Sequence, residues 1–180
     1  MTKRHKVFVS YHHTNPDQGY RDQFEQLCKR TDIAVMRSVQ IGDIDPNLKA
    51  ETVRQKIRNE YLADSTVTVV LIGTQTWQRK HVDWEIGSSI RHTQNNPRSG
   101  LLGICLPTNP LSKHVLNPHT LPPRLYDNVC ADFAKLYDWS QNPYEIQHWI
   151  HEAFERRDKV TPDNSRDNYA NNRTGDRWWP

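Results

Sequence analysis

The 180-residue chain sets 24 Lys and Arg against 21 Asp and Glu, a formal net charge of +3, and only 35% of its residues are hydrophobic. Charges of both signs alternate along nearly every segment, so no nucleic-acid stripe is expected, and Lys3-Arg4-His5-Lys6 reads as a solvated end. No apolar run approaches membrane-spanning length, no signal-peptide core is present, and Cys28, Cys105 and Cys130 read as buried free thiols, which together suggest a cytoplasmic protein with no membrane contact.

Residues 7–11 form the first strand candidate. Asn15-Pro16-Asp17 reads as a helix start, with Asn as cap, Pro at the first helical position and an acid in the first turn. Tyr20, Phe24, Leu27 and Cys28 give that helix an apolar face, and Lys29-Arg30 suit its C-terminal dipole. Residues 33–36 are a second, short strand. Residues 42–46 are a loop leading to a helix with Val53, Ile57 and Tyr61 on one face.

Residues 66–73 are a continuous β-branched run, the mark of a strand buried on both faces and hence of a parallel sheet covered by helices. The helix after it repeats Val82, Ile86 and Ile90 at spacing four and fades at Asn95-Asn96-Pro97. Residues 101–106 make a fourth strand. Residues 107–128 contain Pro107, Pro110, Pro118, Pro122 and Pro123, show no periodicity, and read as a long functional or mobile connection. A fifth strand is expected at 129–133, and Asn142-Pro143 caps a last helix bearing Ile146, Trp149, Ile150, Ala153 and Phe154. From Asp158 onward four basic and four acidic residues cancel and apolar residues almost vanish before Trp178-Trp179. The division expected is therefore a domain at 1–157 and a polar, disordered tail at 158–180 whose removal leaves stability unchanged.

Alternating strands and helices define an α/β fold, and five strands suit the flavodoxin-like parallel sheet of order 2-1-3-4-5 with helices on both faces. That order sets the end of strand one (Ser10, Tyr11, His12, His13) beside the end of strand three (residues 73–77), the switch point where such sheets bind ligands. Glu85 follows on the next helix at the border of its buried stripe, with Gly87, Ser88 and Ser89 leaving room beside it. Against this stands the ordinary helix glutamate half in water. His12-His13 and His148/His151 could serve as metal ligands, but adjacent strand residues face opposite ways and the helical pair lacks a third ligand, so no metal is expected. Trp77 could stack on a base or simply pack, and Trp84 reads as packing. Arg79 and Lys80 stand where phosphates could be met. No G-x-G-x-x-G, P-loop, G-x-S-x-G elbow or paired-cysteine motif occurs, which removes support for conventional dehydrogenase, kinase and hydrolase readings.

Val7-Phe8-Val9-Ser10-Tyr11-His12, the strand at 67–73, Thr76-Trp77-Gln78-Arg79 and Val82-Asp83-Trp84-Glu85-Ile86 together resemble the TIR-like domain family over about residues 6–154. The resemblance implies an enzyme that consumes NAD as substrate, needs no cofactor or metal, and makes a cyclic ADP-ribose isomer. In antiphage defence that isomer answers a phage-derived trigger and is read by a separate effector protein. It also implies Glu85 as the catalytic acid, Ser10, Tyr11, His12, Asp43, Thr74, Trp77 and Arg79 around the substrate, a following acid at Asp17, and self-association into a homo-oligomer. Two other classes stay open: a TIR-type interaction module without chemistry, and a nucleoside-sugar transferase, which would need a supported covalent nucleophile.

Overall fold

The computed structural model describes residues 3–37, 49, 52, 55–109 and 117–180. Asp43, Val53 and the side chains of Ile57 and Tyr61 lie outside them, as does the stretch 110–116. Five strands, β1 (His5–Ser10), β2 (Ala34–Arg37), β3 (Val67–Ile72), β4 (Gly100–Cys105) and β5 (Ala134–Asp138), form one sheet of order β2-β1-β3-β4-β5. Every pairing is parallel. The order is the one expected from the sequence. The helices α1 (Asp17–Thr31), α2 (Lys80–Ser89), α3 (Pro123–Cys130) and α4 (Pro143–Arg156) cover it, and a π-helical turn (Ile57–Leu62) precedes β3.

The period-two pleat divides the core between the two faces. Val67, Val69 and Leu71 of β3 join Val7, Val9 and residues of α1 and α4 such as Phe24, Leu27, Ile146 and Ile150. Val70 and Ile72 turn the other way, to Val82, Ile86 and Ile90 of α2 and Leu125 of α3. All six β3 residues are fully buried, as expected of a central strand between two helical layers. At Gly100 a Cβ would lie 2.1 Å from the Ala153 carbonyl, so only glycine lets α4 settle this close to β4.

Four expectations are corrected. The helix after β1 begins at Asp17 with Pro16 at its cap and no side-chain cap; Thr14 and Pro16 carbonyls accept from the Gln18 and Tyr20 amides instead of an Asn15 side chain. Residues 129–133 are not the fifth strand. Pro122-Pro123 start α3, the Tyr126 amide donates to Pro122 O at 3.0 Å, and Leu121 and Leu125, four apart, are buried beneath it. Asp132, at φ 58°, then turns the chain so that β5 begins at Ala134. Cys130 consequently ends a helix and is exposed, while Cys28 and Cys105 are buried.

The fourth correction is the largest. Residues 158–180 lie along α2 and α3 as an irregular strap rather than a free tail. Tyr169 and Trp178 are buried, Trp178 stacks on His119 with ring centroids 4.4 Å apart, and its Nε1 donates to Leu121 O at 2.7 Å. Trp179 remains exposed. Beneath the strap, Arg124 of α3 forms a buried ion pair with Asp83 of α2, its Nε 3.0 Å from Oδ1, and the Tyr169 amide donates to Asp83 Oδ2 at 2.9 Å. A polar chain is ordered here because its backbone and amide groups meet prepared partners, which an apolar-content argument does not register.

Candidate active site at the switch point

Ser10, the last residue of β1, shares the sheet face of Phe8, which is the face that α2 covers. Glu85 occupies the middle of α2, one residue before the fully buried Ile86. The two meet at the crossover between β1 and β3: Ser10 Oγ donates to Glu85 Oε2 at 2.5 Å, with Ser10 0% and Glu85 4% exposed. Burial pushes the Glu85 carboxyl up to about 8, the Ser10 hydrogen bond only partly opposing it. Glu85 is thus not the half-solvated helix residue that its type would suggest.

The turn after β3 is locked by Thr76. Its hydroxyl accepts from the Gly73 amide at 2.9 Å and donates to Leu71 O at 3.2 Å, which fixes the path into α2. Gly73 lies against Asp17, the first residue of α1: a Cβ at Gly73 would come within 2.1 Å of Asp17 Oδ2. Asp17 is buried, accepts from Thr108 Oγ1 at 3.0 Å, and is raised above the usual carboxylate range by that burial, the Thr108 bond working against it. A second acid therefore sits at the same end of the sheet as Glu85.

At the rim, His81 of α2 bonds the Tyr11 carbonyl through Nε2 at 3.0 Å and lies 4.4 Å, ring to ring, from His13. Burial, followed by the neighbouring imidazole and Arg21, lowers His13 to about 3; burial also lowers His81 and His12, and Arg79 adds to both. These imidazoles are neutral at neutral pH. Sequence reasoning missed His81, whose signal was its place four residues before Glu85 on the same helix face.

Of the other expected residues, Tyr11 is buried with its hydroxyl donating to Gln18 Oε1 at 2.7 Å, and His12 is half-buried beside Thr14. Thr74 is exposed on the turn. Trp77 is 2% exposed and its carbonyl accepts from the Tyr169 hydroxyl at 3.0 Å, so it packs under the strap; Trp84 does too, donating from Nε1 to Tyr169 O at 2.8 Å. Arg79 is half-buried, with Nη2 3.0 Å from Gln78 Oε1. Among the described residues no hydrogen bond or ion pair joins Thr74, Trp77 or Arg79 to Glu85. Part of the room expected beside Gly87 is taken by Arg124, whose Nε would lie 3.2 Å from a Cβ there, and Asn164 donates to Gly87 O at 3.0 Å. No three His, Cys, Asp or Glu side chains among the described residues gather as metal ligands.

A parallel 2-1-3-4-5 sheet with a buried carboxylate on the helix after β3 defines a flavodoxin-like α/β protein of the TIR type. Residues 8–110 match the family described as "Thoeris protein ThsB, TIR-like domain". The chain belongs to that family. The TIR domains in the structure of the activated Roq1 resistosome directly recognizing the pathogen effector XopQ align over 86% of this chain and 84% of that one, at 10% identity and a TM-score of 0.37, a likeness too distant to add to the topology. No curated protein matches the chain. No helix among the described residues is long and apolar enough to cross a membrane.

Proposed function

We propose that this chain cleaves the nicotinamide–ribose bond of NAD and closes the remainder into a cyclic ADP-ribose isomer, a signal read by a separate effector in antiphage defence. The observation that supports it best is the carboxylate of Glu85, buried at the switch point and held by Ser10. In NAD the nicotinamide is already cationic, so when the C1″–N bond breaks it departs neutral with the bonding pair and needs no acid. The ribosyl cation left behind is oxocarbenium-like, and a fixed carboxylate in a water-poor site stabilises that charge. Capture by a nitrogen or hydroxyl of the same ADP-ribose, which then releases its proton to solvent, closes the ring by proximity; capture by water gives ADP-ribose. An arriving pyridinium lowers the Glu85 pKa by Coulombic attraction to the carboxylate, opposing the desolvation that raises it, and the proton leaves to solvent. The substrate-contacting residues of this reading are the buried Ser10 and Tyr11 and the half-buried His12 and Arg79, together with Asp43 and Thr74. The reaction belongs to the cytoplasm, requires no cofactor, and answers a phage-derived trigger, with self-association of the chain as a route to activation.

One observation favours a second reading. Ser10 and Glu85 are both closed to solvent, which also suits a TIR-type interaction module in which the pair is purely structural. Purified protein incubated with NAD, with and without lysate of infected cells, separates the two by mass analysis of products. The enzyme reading requires nicotinamide release and a cyclic product that Glu85→Gln abolishes. Undiminished product from that variant, or no turnover under either condition, rejects it.

A further inference from the structure

A cavity of about 500 Å³ opens at the C-terminal half of α2, with neither Ser10 nor Glu85 in its lining. The C-terminal half of α2 and the loop after it form one wall, and the strap forms another through Asn164, Arg166 and Asn168. Nothing below rests on the NAD-cleaving reading.

Its chemistry is one-sided. The twelve lining residues include six carboxamides (five Asn and one Gln) and three arginines, with no carboxylate, aliphatic or aromatic side chain among them. Small-molecule pockets of this size are ordinarily apolar with a few polar anchors, so a lining this polar selects a ligand that is itself polar throughout. Two of the arginines are already matched. Arg124 is 1% exposed and pairs with Asp83, while Arg166 forms a two-pronged bond with Asp127 at 2.7 and 2.8 Å. Arg91 has no hydrogen-bond or ion-pair partner among the described residues. The unmatched charge is one guanidinium, a group built for planar, two-pronged contact with phosphate. Asn164 is engaged at both ends, by Arg124 and the Gly87 carbonyl, and Asn168 Oδ1 accepts from Arg124; the remaining carboxamides, Gln55, Asn59, Asn95 and Asn96, offer both donors and acceptors, the pattern that vicinal hydroxyls require. Among the described residues no aromatic ring lines it.

The geometry points to a binding site for a phosphorylated sugar, its phosphate on Arg91 and its hydroxyls on the surrounding carboxamides. Because the strap supplies three of the lining residues, a bound ligand bridges strap and α2. It therefore stabilises the strap's docked position.

Calorimetric titration of the full chain with ribose 5-phosphate tests this. One saturable site is expected, with inorganic phosphate and unphosphorylated ribose each at least tenfold weaker. Arg91 is exposed, so Arg91→Ala leaves the fold intact, and it is expected to weaken binding at least tenfold, the scale of a lost charge-assisted contact. Glu85→Gln should bind like the parent, and amide exchange across 164–168 should slow when ligand is present. The proposal is overturned by the absence of saturable binding at millimolar ligand, by parental affinity in Arg91→Ala, or by equal affinity for phosphate alone. It is also overturned if Glu85→Gln loses binding while Arg91→Ala retains it, which moves the ligand to the switch point.

Discussion

Replacing Glu85 by Gln should make the protein more stable, and increasingly so as the pH rises. The folded-state carboxyl titrates at about 8 and the ordinary value is 4.5. A raised pKa means that the folded state holds a proton which the unfolded chain gives up. The favourable contribution is complete below pH 4.5 and is lost as pH climbs through 8. Relative to a non-ionising residue, linkage then places the wild-type deficit at about 1 kcal/mol at pH 5, about 3 kcal/mol at pH 7 and about 5 kcal/mol beyond pH 9. At 4% exposure almost no solvent screening reduces these figures, though any water admitted beside the ionised carboxylate would. Glutamine is nearly isosteric, and its carbonyl oxygen still accepts from Ser10. Urea denaturation of both proteins from pH 5 to pH 8.5, with the two free energies subtracted at each pH, isolates the titration of this side chain. The difference should widen by a few kcal/mol across that range. A difference independent of pH would refute the buried protonated carboxyl. Wild type gaining on the variant with rising pH would mean that Glu85 is ionised in the fold. On the proposed function, the same titration predicts that nicotinamide release at low NAD concentration rises toward pH 8 as the carboxylate forms.

Trp178→Ala should cost about 3 kcal/mol, the usual loss for a buried tryptophan, and lower the melting temperature by roughly 6–12 °C; an unchanged melt would mean that the strap is undocked in solution. Arg124→Ala should cost about 3–5 kcal/mol because Asp83 is left buried and unpaired, and pairing it with Asp83→Ala should recover part of that loss in a double-mutant cycle. Gly73→Ala should destabilise by about 1–3 kcal/mol, since its Cβ would overlap the Asp17 carboxylate, and Asp17→Gly in the same chain should relieve it; thermal melts of the three variants check the order.

The parts legible in the sequence are those where burial is written in side-chain type. The run at 66–73 could only be a central strand, and Val82, Ile86 and Ile90 fixed the face of α2; all three are essentially unexposed. Sheet order sets the end of β1 beside the end of β3, and Glu85 on the helix that follows meets Ser10 there. α3 was obscured because Pro122 and Pro123 read as loop residues, although proline at a first helical turn is a start signal as much as a stop. Missing it displaced β5 by five residues. The Asp83–Arg124 pair carried no signal at all, because two charges forty-one positions apart reveal nothing of a shared burial until α2 and α3 are packed.

The strap bears most directly on how α2 is held. Asn172 Oδ1 accepts from the Lys80 amide at 3.0 Å, satisfying a donor at the start of the helix. Tyr169 engages its middle twice, from its own amide to Asp83 and from Trp84 to its carbonyl. Asn164 reaches the Gly87 carbonyl near the end. A ten-residue helix is therefore fastened at three levels from one side, while Glu85 is fastened to Ser10 from the other. An isolated helix of this length is marginal in water and takes its order from packing. The register that aims Glu85 at the crossover is thus shared between the sheet and a segment whose composition alone would mark it as disordered. The strap cannot lift without exposing Asp83 and Arg124, a buried pair that is costly to leave half-solvated, and that cost holds α2 in place as firmly as the apolar face beneath it.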